Sequence, residues 1–496
     1  MRNLSKSKLI AYRQCPKRLW LEIHAPELRE DSATAQMNFM IGYAVGDIAQ
    51  QLYDPNENRQ IIDAQAEGYP QAFARTQALL TANRPIFEAG FCTEGGMAFA
   101  DVMLPNADGS WRMVEVKSST SVKDYHKDDI AIQSYIAKNA GVNLSNVALA
   151  HIDSSWIYQG NHDYRGLLVE KDLTARADEK ATEVKQWIAD AQSTIALDSE
   201  PQIDAGAHCF SPYDCGFYGY CTQGAPQAEF PINWLPRASQ KIKTWAQDND
   251  EIEAANVPDE LLNLKQQRVK YATINQTPYF DKVATQAELK QYELPIYFID
   301  FETINFAVPI WSGTRPYQQI PFQFSAHKIH ENGELTHQEF LDTTGADPMC
   351  GFAEKLIQAC ELSGAVFVYN AGFEKARIRE LAERFPELRK PLLGINARIV
   401  DLLPIARNHY YHPSQQCSWS IKKILPAIAP ELSYDDLEGV QHGGGAMEAY
   451  TEAIHPDTPA ERRAQLHEQL LRYCELDTYA MIKIWQTFAN VHHFKL

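Results

Sequence analysis

The stretch Phe99–Ser118, FADVMLPNADGSWRMVEVKS, decides the reading of the first half of the chain. Phe99–Leu104 is apolar and extended, Asp108-Gly109 is a turn pair, and Trp111–Lys117 alternates, a pattern that predicts a β-hairpin. Side chains two apart on a strand share a face, so Glu115 and Lys117 point the same way. Asp101 on the partner strand can join them. Two carboxylates and a lysine in one place suit phosphodiester hydrolysis. The carboxylates hold Mg²⁺, which activates water, and the lysine steadies the developing charge. An ExK pair alone is better read as a solvated strand edge with an ion pair.

The pattern D…(D/E)xK resembles the PD-(D/E)XK nucleases, in particular the RecB type. The resemblance implies an active site of Asp101, Glu115 and Lys117. It adds Glu88, in IFEAGF one strand upstream, and Gln133, in DDIAIQSY on the following helix. RecB-type enzymes often carry a metal-binding histidine on an early helix, and the matching position here is Gly46. Their glutamine is usually followed by tyrosine four residues on, whereas Tyr135 lies two on.

The bulk properties set wider bounds. A chain of 496 residues predicts two or three domains, and 45% apolar content is ordinary for a globular protein. No uninterrupted apolar run is long enough for a bilayer. The opening MRNLSKSKLIAYRQC has no apolar signal core followed by small residues, which predicts a cytoplasmic protein. A net charge of −18 is unusual for a chain that meets phosphates, but metal-binding carboxylates raise the acidic count and local basic patches can still steer. Nine cysteines in a cytoplasmic chain predict metal ligands or free thiols rather than disulfides.

In chain order, residues 4–22 predict a helix with a Cys-Pro interruption. Lys6, Lys8, Arg13, Lys17 and Arg18 make it basic, for nucleic acid or merely for solvent. Helices are expected over 33–52, 69–83 and 128–139, strands over 143–152 and 163–170, and a long helix over 172–197. The segment HCFSPYDCGFYGYC then places Cys209, Cys215 and Cys221 at even spacing, with Cys15 far upstream. Four cysteines can hold a cluster or zinc. The run lacks a CxxC pair, which favours a [4Fe–4S] cluster, with zinc as the alternative. The arrangement resembles the iron staple of RecB-like nucleases of the AddB and CRISPR-associated groups. That resemblance implies Cys15, Cys209, Cys215 and Cys221 as ligands in a structural role. Cys92, Cys350, Cys360, Cys417 and Cys474 have no such spacing. Residues 226–290 read as a helical connector after the Pro-rich GAPQAEFPINWLPR, with NVPDELLNL as a Pro-initiated helix start.

A second constellation opens with IYFIDFETI, residues 296–304, a buried strand bearing Asp300 and Glu302 on one face. Like charges so close repel in low dielectric, and a divalent cation is the usual remedy. VFVYNAGFEKARIREL (366–381) predicts strand, turn and helix with Glu374. LRYCELDTYAMIKIW (471–485) predicts a helix with Tyr473 and Asp477 on one face. Together these resemble motifs I, II and III of the DEDD exonucleases, tyrosine subtype, with an RNase H-like fold. The resemblance implies that Asp300, Glu302, Glu374 and Asp477 hold two metals and that Tyr473 orients water. Glu374 stands where the family usually has aspartate. Asp401, in RIVDLLPIAR, reads as a helix cap, with a further acid near the site as the alternative. Residues 409–425 mix aromatics with Lys422 and Lys423, for a single strand or for a core. QHGGGAMEAY (441–450) reads as a Gly-rich turn before a helix, without the spacing of a nucleotide loop.

The resulting expectation is an α/β protein: a restriction-endonuclease-like core with a cysteine staple (1–225), the connector (226–290) and an RNase H-like exonuclease domain (291–496). It would use Mg²⁺ or Mn²⁺ to hydrolyse nucleic acid, single-stranded DNA or DNA ends foremost, with RNA as the alternative. The whole resembles a bacterial fusion family of those two nuclease types. Two rival classes are a binding module with degenerate sites and a metal or redox sensor centred on the cysteines.

Overall fold

The computed structural model describes residues 2–31 and 33–491. The chain is α/β, with 19 α-helices among the described residues and mixed sheets. It divides into two compact units, one of residues 1–225 with 306–318, the other of 226–305 with 319–496. The segment 306–318 lies between two strands of the second unit in sequence, yet its Ala307, Val308 and Tyr317 pack with Tyr158 and Tyr164 of the first.

The first unit begins with β1 (Leu4–Ser5), α1 (Lys6–Gln14) and α2 (Pro16–His24), parted at Cys15 as the Cys-Pro pair predicts. Then come α3 (Ala33–Tyr53), β2 (Gln60–Ile61), α4 (Ala64–Glu67) and α5 (Tyr69–Leu79). The predicted hairpin follows, preceded by one more strand: β3 (Ile86–Thr93), β4 (Gly96–Pro105) and β5 (Trp111–Lys117). Next are α6 (Asp124–Asn139), β6 (Leu144–Ile152), β7 (Leu168–Asp172), α7 (Thr174–Glu179), α8 (Ala181–Ile195) and the short α9 (Tyr218–Thr222). The sheet runs β2-β3-β4-β5-β6-β7, with β1 added in parallel beside β4. α6 is buried along Ile130, Ala131, Ile132, Ile136 and Ala137 in one core with Ala98, Met113, Val147 and Leu149.

Two predicted spans shift. The strand expected over 163–170 starts only at Leu168, because Arg165–Gly166 form a turn in which Gly166 takes φ +96°. The long helix over 172–197 is two helices parted at Lys180.

The second unit holds α10 (Gln240–Asp248), α11 (Leu264–Ile274), β8 (Tyr279–Phe280) and α12 (Lys282–Leu289). Its sheet strands are β9 (Ile296–Ile304), β10 (Ile320–Ile329) and β11 (Leu335–Leu341). After α13 (Met349–Cys360) come β12 (Ala365–Val368), α14 (Gly372–Arg384), α15 (Arg389–Ala397), β13 (Ile399–Asp401), α16 (Leu402–His409) and β14 (Tyr410–Tyr411). α17 (Ile421–Ile428), α18 (Gly443–Ile454) and α19 (Ala460–Ala489) close the unit. The sheet order is β11-β10-β9-β12-β13, antiparallel on the β10 side of β9 and parallel on the other.

In NVPDELLNL the helix starts later than expected: Asp259–Leu261 form a single 3₁₀ turn, and Asn263 caps α11 by accepting from the Gln266 amide. The glycines of 443–445 are not a turn but the first turn of α18, capped by His442.

Ile132 is fully buried between α6 and the sheet, so Ile132→Ala leaves a cavity there. Urea denaturation should show a loss of about 2–5 kcal/mol at unchanged m-value; a loss below about 1 kcal/mol would mean that this core is not packed as described.

Candidate metal centres

In the first unit the β4–β5 ladder ends at Val102↔Val114. Beyond it, the Val116 amide donates to Asp101 Oδ2 at 2.7 Å instead of to a carbonyl. The Asp101 carboxylate is thereby fixed beside Glu115. Gln133 on α6 donates to Glu115 Oε2 at 2.6 Å, and Lys117 Nζ sits 2.6 Å from Glu115 Oε1. Asp101, Glu115, Lys117 and Gln133 therefore gather in one place. Glu88 lies opposite Asp101, between the pairs Phe87↔Val102 and Ala89↔Ala100. Its φ of +56° is one that residues other than glycine seldom adopt in a strand.

Two residues not singled out for this site complete it. Lys6, at the start of α1, places Nζ 2.7 Å from Glu115 and 3.3 Å from Asp129. Asp129 also meets Lys117 at 2.7 Å. Asp129 was legible, since it stands four residues before Gln133 on the same helical face. Lys6 was visible only as one lysine of a basic helix.

Electrostatics divides these acids. Burial raises Asp129, but Lys117 and Lys6 outweigh it and hold the carboxylate below its usual range. Burial and the Glu115 charge raise Asp101 well above its own. Burial also lowers the neighbouring His126, with Lys117 adding to the effect, to about 4. Gln133 Oε1 is buried with no hydrogen-bond partner among the described residues, an acceptor available to a cation. Gly46 lies in α3, where an added Cβ would meet nothing within 4 Å.

The four cysteines Cys15, Cys209, Cys215 and Cys221 line one small cavity in the same unit. Gln14 ties the far-apart segments, its Nε2 donating to the carbonyls of His208 (2.8 Å) and Tyr213 (2.7 Å). The Cys215 amide donates to the Cys209 carbonyl at 2.8 Å and folds the loop back. Among the described residues, no three of these sulfurs lie within 4.8 Å of one another. All nine cysteines are free thiols.

In the second unit Asp300 and Glu302 on β9 and Asp477 on α19 bring carboxylate oxygens within 4.8 Å of one another. Tyr434 donates to Asp477 Oδ1 at 2.5 Å, and Tyr473, one turn before Asp477, also hydrogen-bonds it. Lys422 Nζ stands over the Tyr434 and Tyr473 rings, 4.8 and 5.0 Å from their centroids. Tyr434 had no signal in the sequence, being 43 residues from its partner.

Burial, with Asp477 and then Glu302, raises Asp300 well above the usual carboxylate range. Burial and Asp477 do the same to Glu302. Burial raises Asp477 to about 6 despite the Tyr434 hydrogen bond and Lys422. Such a set favours a divalent cation, hard and oxygen-seeking.

Glu374 stands apart from the three-acid set. It is buried on α14, with Oε2 lacking a hydrogen-bond partner among the described residues, and burial raises it to about 8. Its charge still reaches Asp300. Asp401 is a cap, accepting from the amides of Asn370, Ala371 and Leu403. α18 begins beside Glu302, whose Oε2 would lie 4.0 Å from a Cβ on Gly443. A side-chain-free first turn there leaves the approach to Glu302 open, a role the motif's spacing did not announce.

Residues 297–420 match DUF2779, a domain of unknown function. The matched span holds Asp300, Glu302 and Glu374 and stops short of Asp477. The chain is similar to the uncharacterized protein MG366 homolog of Mycoplasma pneumoniae, 31% identical over 215 residues, covering 39% of this chain and 32% of that protein. It is also similar to the uncharacterized protein MG366 of Mycoplasma genitalium, 26% identical over 210 residues, covering 38% and 31%. The chain thus spans about a third of the length of these relatives. Among solved structures, the crystal structure of SSO0001 aligns with a TM-score of 0.24 at 16% identity, over 40% of this chain and 79% of that one. No helix among the described residues is long and apolar enough to cross a membrane.

The raised acids carry a sign. Glu374 titrates at about 8 when folded against 4.5 when free, so between those values the folded chain binds more protons than the unfolded one. Stability must then fall as pH rises through that window. In chelator-treated protein, thermal melts should show this fall, and Glu374→Gln should flatten it. Equal slopes in wild type and variant would show that Glu374 is not held protonated.

Proposed function

We propose that the chain is a metal-dependent nuclease, acting on DNA, single-stranded or at ends, with RNA as the alternative substrate. The observation that carries this reading is the convergence of Asp300, Glu302 and Asp477 within 4.8 Å, on a strand and a helix far apart in sequence. Those residues fit Mg²⁺ or Mn²⁺, which when bound supplies Lewis acidity and an activated water. The chain's own groups do the positioning. Tyr434 and Tyr473 fix the Asp477 carboxylate by hydrogen bonds, and Lys422 offsets part of the charge. Glu374, outside the three-acid set but close enough for its charge to reach Asp300, is the candidate ligand of a second ion. The whole corresponds to an RNase H-like exonuclease of the tyrosine subtype that trims 3′ ends.

The first unit supports a PD-(D/E)XK reading of RecB type. Asp101 and Glu115 would hold a cation, with Gln133 and Glu88 beside them. Lys117 would steady charge on the phosphate. The cysteine cavity supports a staple with a structural role. A single zinc ion with Zn–S bonds of about 2.3 Å brings tetrahedral sulfurs to about 3.8 Å. The four cysteines around one cavity fit a [4Fe–4S] cluster, with zinc as the alternative.

One observation favours a second reading for this unit. Lys6 and Lys117 pair directly with Glu115 and Asp129 at 2.6–3.3 Å. A site so satisfied can grip a nucleic-acid end rather than cut it.

Digestion of end-labelled DNA and RNA with Mg²⁺ or Mn²⁺ tests both readings. Asp300→Asn and Asp477→Asn should each cut 3′ trimming by on the order of 10²-fold or more. Asp101→Asn and Lys117→Ala should remove a separate cleavage activity and leave trimming intact. Trimming undiminished in both Asp300→Asn and Asp477→Asn would refute the exonuclease reading. A first unit that binds ends but shows no cleavage to lose would establish the second reading.

A further inference from the structure

On the other side of α19 a different donor set gathers. His327 on β10 and His337 on β11 are direct cross-strand partners. Their rings stack, with centroids 4.4 Å apart and planes at 30°. Glu475 on α19 joins them, and one ligand atom from each of the three lies within 4.8 Å of the others. Glu475 is two residues from Asp477, so the helix turns it away from the acidic set.

Each imidazole is oriented through its second nitrogen. His327 Nδ1 is 2.8 Å from Thr478 Oγ1, and His337 Nε2 is 2.9 Å from Ser325 Oγ. The two hydroxyls are themselves 2.7 Å apart. This is how metal-ligating histidines are fixed in ring angle and tautomer. It leaves His327 Nε2 and His337 Nδ1 for a ligand. His337 Nδ1 is 3.8 Å from Glu475 Oε1, too far for a hydrogen bond but suited to two donors flanking an ion with bonds near 2.0–2.2 Å. A cleft lined by His327, Leu335, His337, Glu475 and Tyr479 opens over the set. Arg472 also borders it, but its guanidinium is engaged by Glu468 at 2.6 Å.

We propose that His327, His337 and Glu475 form a site for a zinc-type divalent ion, distinct from both acidic centres. Two imidazoles and one carboxylate are a zinc donor set, with the fourth position open to solvent. Imidazole favours Zn²⁺ over Mg²⁺, so the two sides of α19 sort ions by chemistry. The ion would brace α19 against β10 and β11.

The test is equilibrium dialysis of the chelator-stripped full chain against zinc chloride in excess Mg²⁺, with zinc counted by mass spectrometry. The cysteine cavity can also take zinc, so Cys215→Ser is measured alongside. The expected result is one zinc equivalent that persists in Cys215→Ser and is lost in His337→Gln. Glu475→Gln, at an exposed position, should weaken that equivalent about tenfold or more while its melting curve without zinc matches wild type. Zinc binding of wild-type stoichiometry and affinity in both His337→Gln and Glu475→Gln would overturn the proposal.

Discussion

Uncompensated negative charge is the constraint around which the second unit is built. Three carboxylates within 4.8 Å of one another, partly withdrawn from water, repel one another and resist ionisation. The fold accepts that cost because the backbone leaves little choice. Asp300 and Glu302 share one face of β9, which is pinned on both sides by β10 and β12. Asp477 is carried by a helix whose Tyr473, Cys474 and Met481 are buried. Relief comes from tyrosine hydroxyls and from Lys422, and it is partial.

The first unit resolves the same problem differently. Glu115 and Asp129 receive two ammonium groups directly, and only Asp101 is left strongly disfavoured as a charge. The two centres are thus electrostatic opposites, one short of positive charge and the other supplied with it. A lysine that pairs with a carboxylate competes with any cation for the same oxygens. A cation at the first centre would have to displace Lys6 Nζ, which the flexible lysine side chain can do by rotation alone.

Local pattern carried much of the fold. The Asp-Gly turn and the alternation of Trp111–Lys117 located the hairpin, and the apolar run around Asp300 located β9. Period and turn chemistry act over a few residues, so they are visible in sequence. Spacing also put Tyr473 with Asp477, and could have put Asp129 with Gln133. Lys6, Tyr434 and the start of α18 beside Glu302 were not legible, because tertiary packing alone brings them to their sites. The His327–His337 pair was hidden for the same reason: it needs the β10–β11 register, which the sequence does not print. Lys180 parts a helix that periodicity ran together, since the periodicity persists across the break.

Each centre is closed by a residue from far along the chain. Lys6 reaches Glu115 across 109 positions, and the Cys474 thiol lies 3.7 Å from the Asp300 carbonyl across 174. Neither centre can exist in a half-folded unit. Ligand binding to such a centre stabilises the whole unit by linkage, because the unfolded chain offers no preformed site. The converse also holds. A substitution that loosens the packing of α19 on β9 and β10, however far from the acids, would shift the Asp477 carboxylate against Asp300 and Glu302. The Ser325–Thr478 hydroxyl pair ties α19 to β10, with Ser325 opposite Asp300 of β9 in register and Thr478 next to Asp477 in sequence. The geometry of the acids is thus set in part from behind, by polar contacts such as Ser325–Thr478 and Cys474–Asp300.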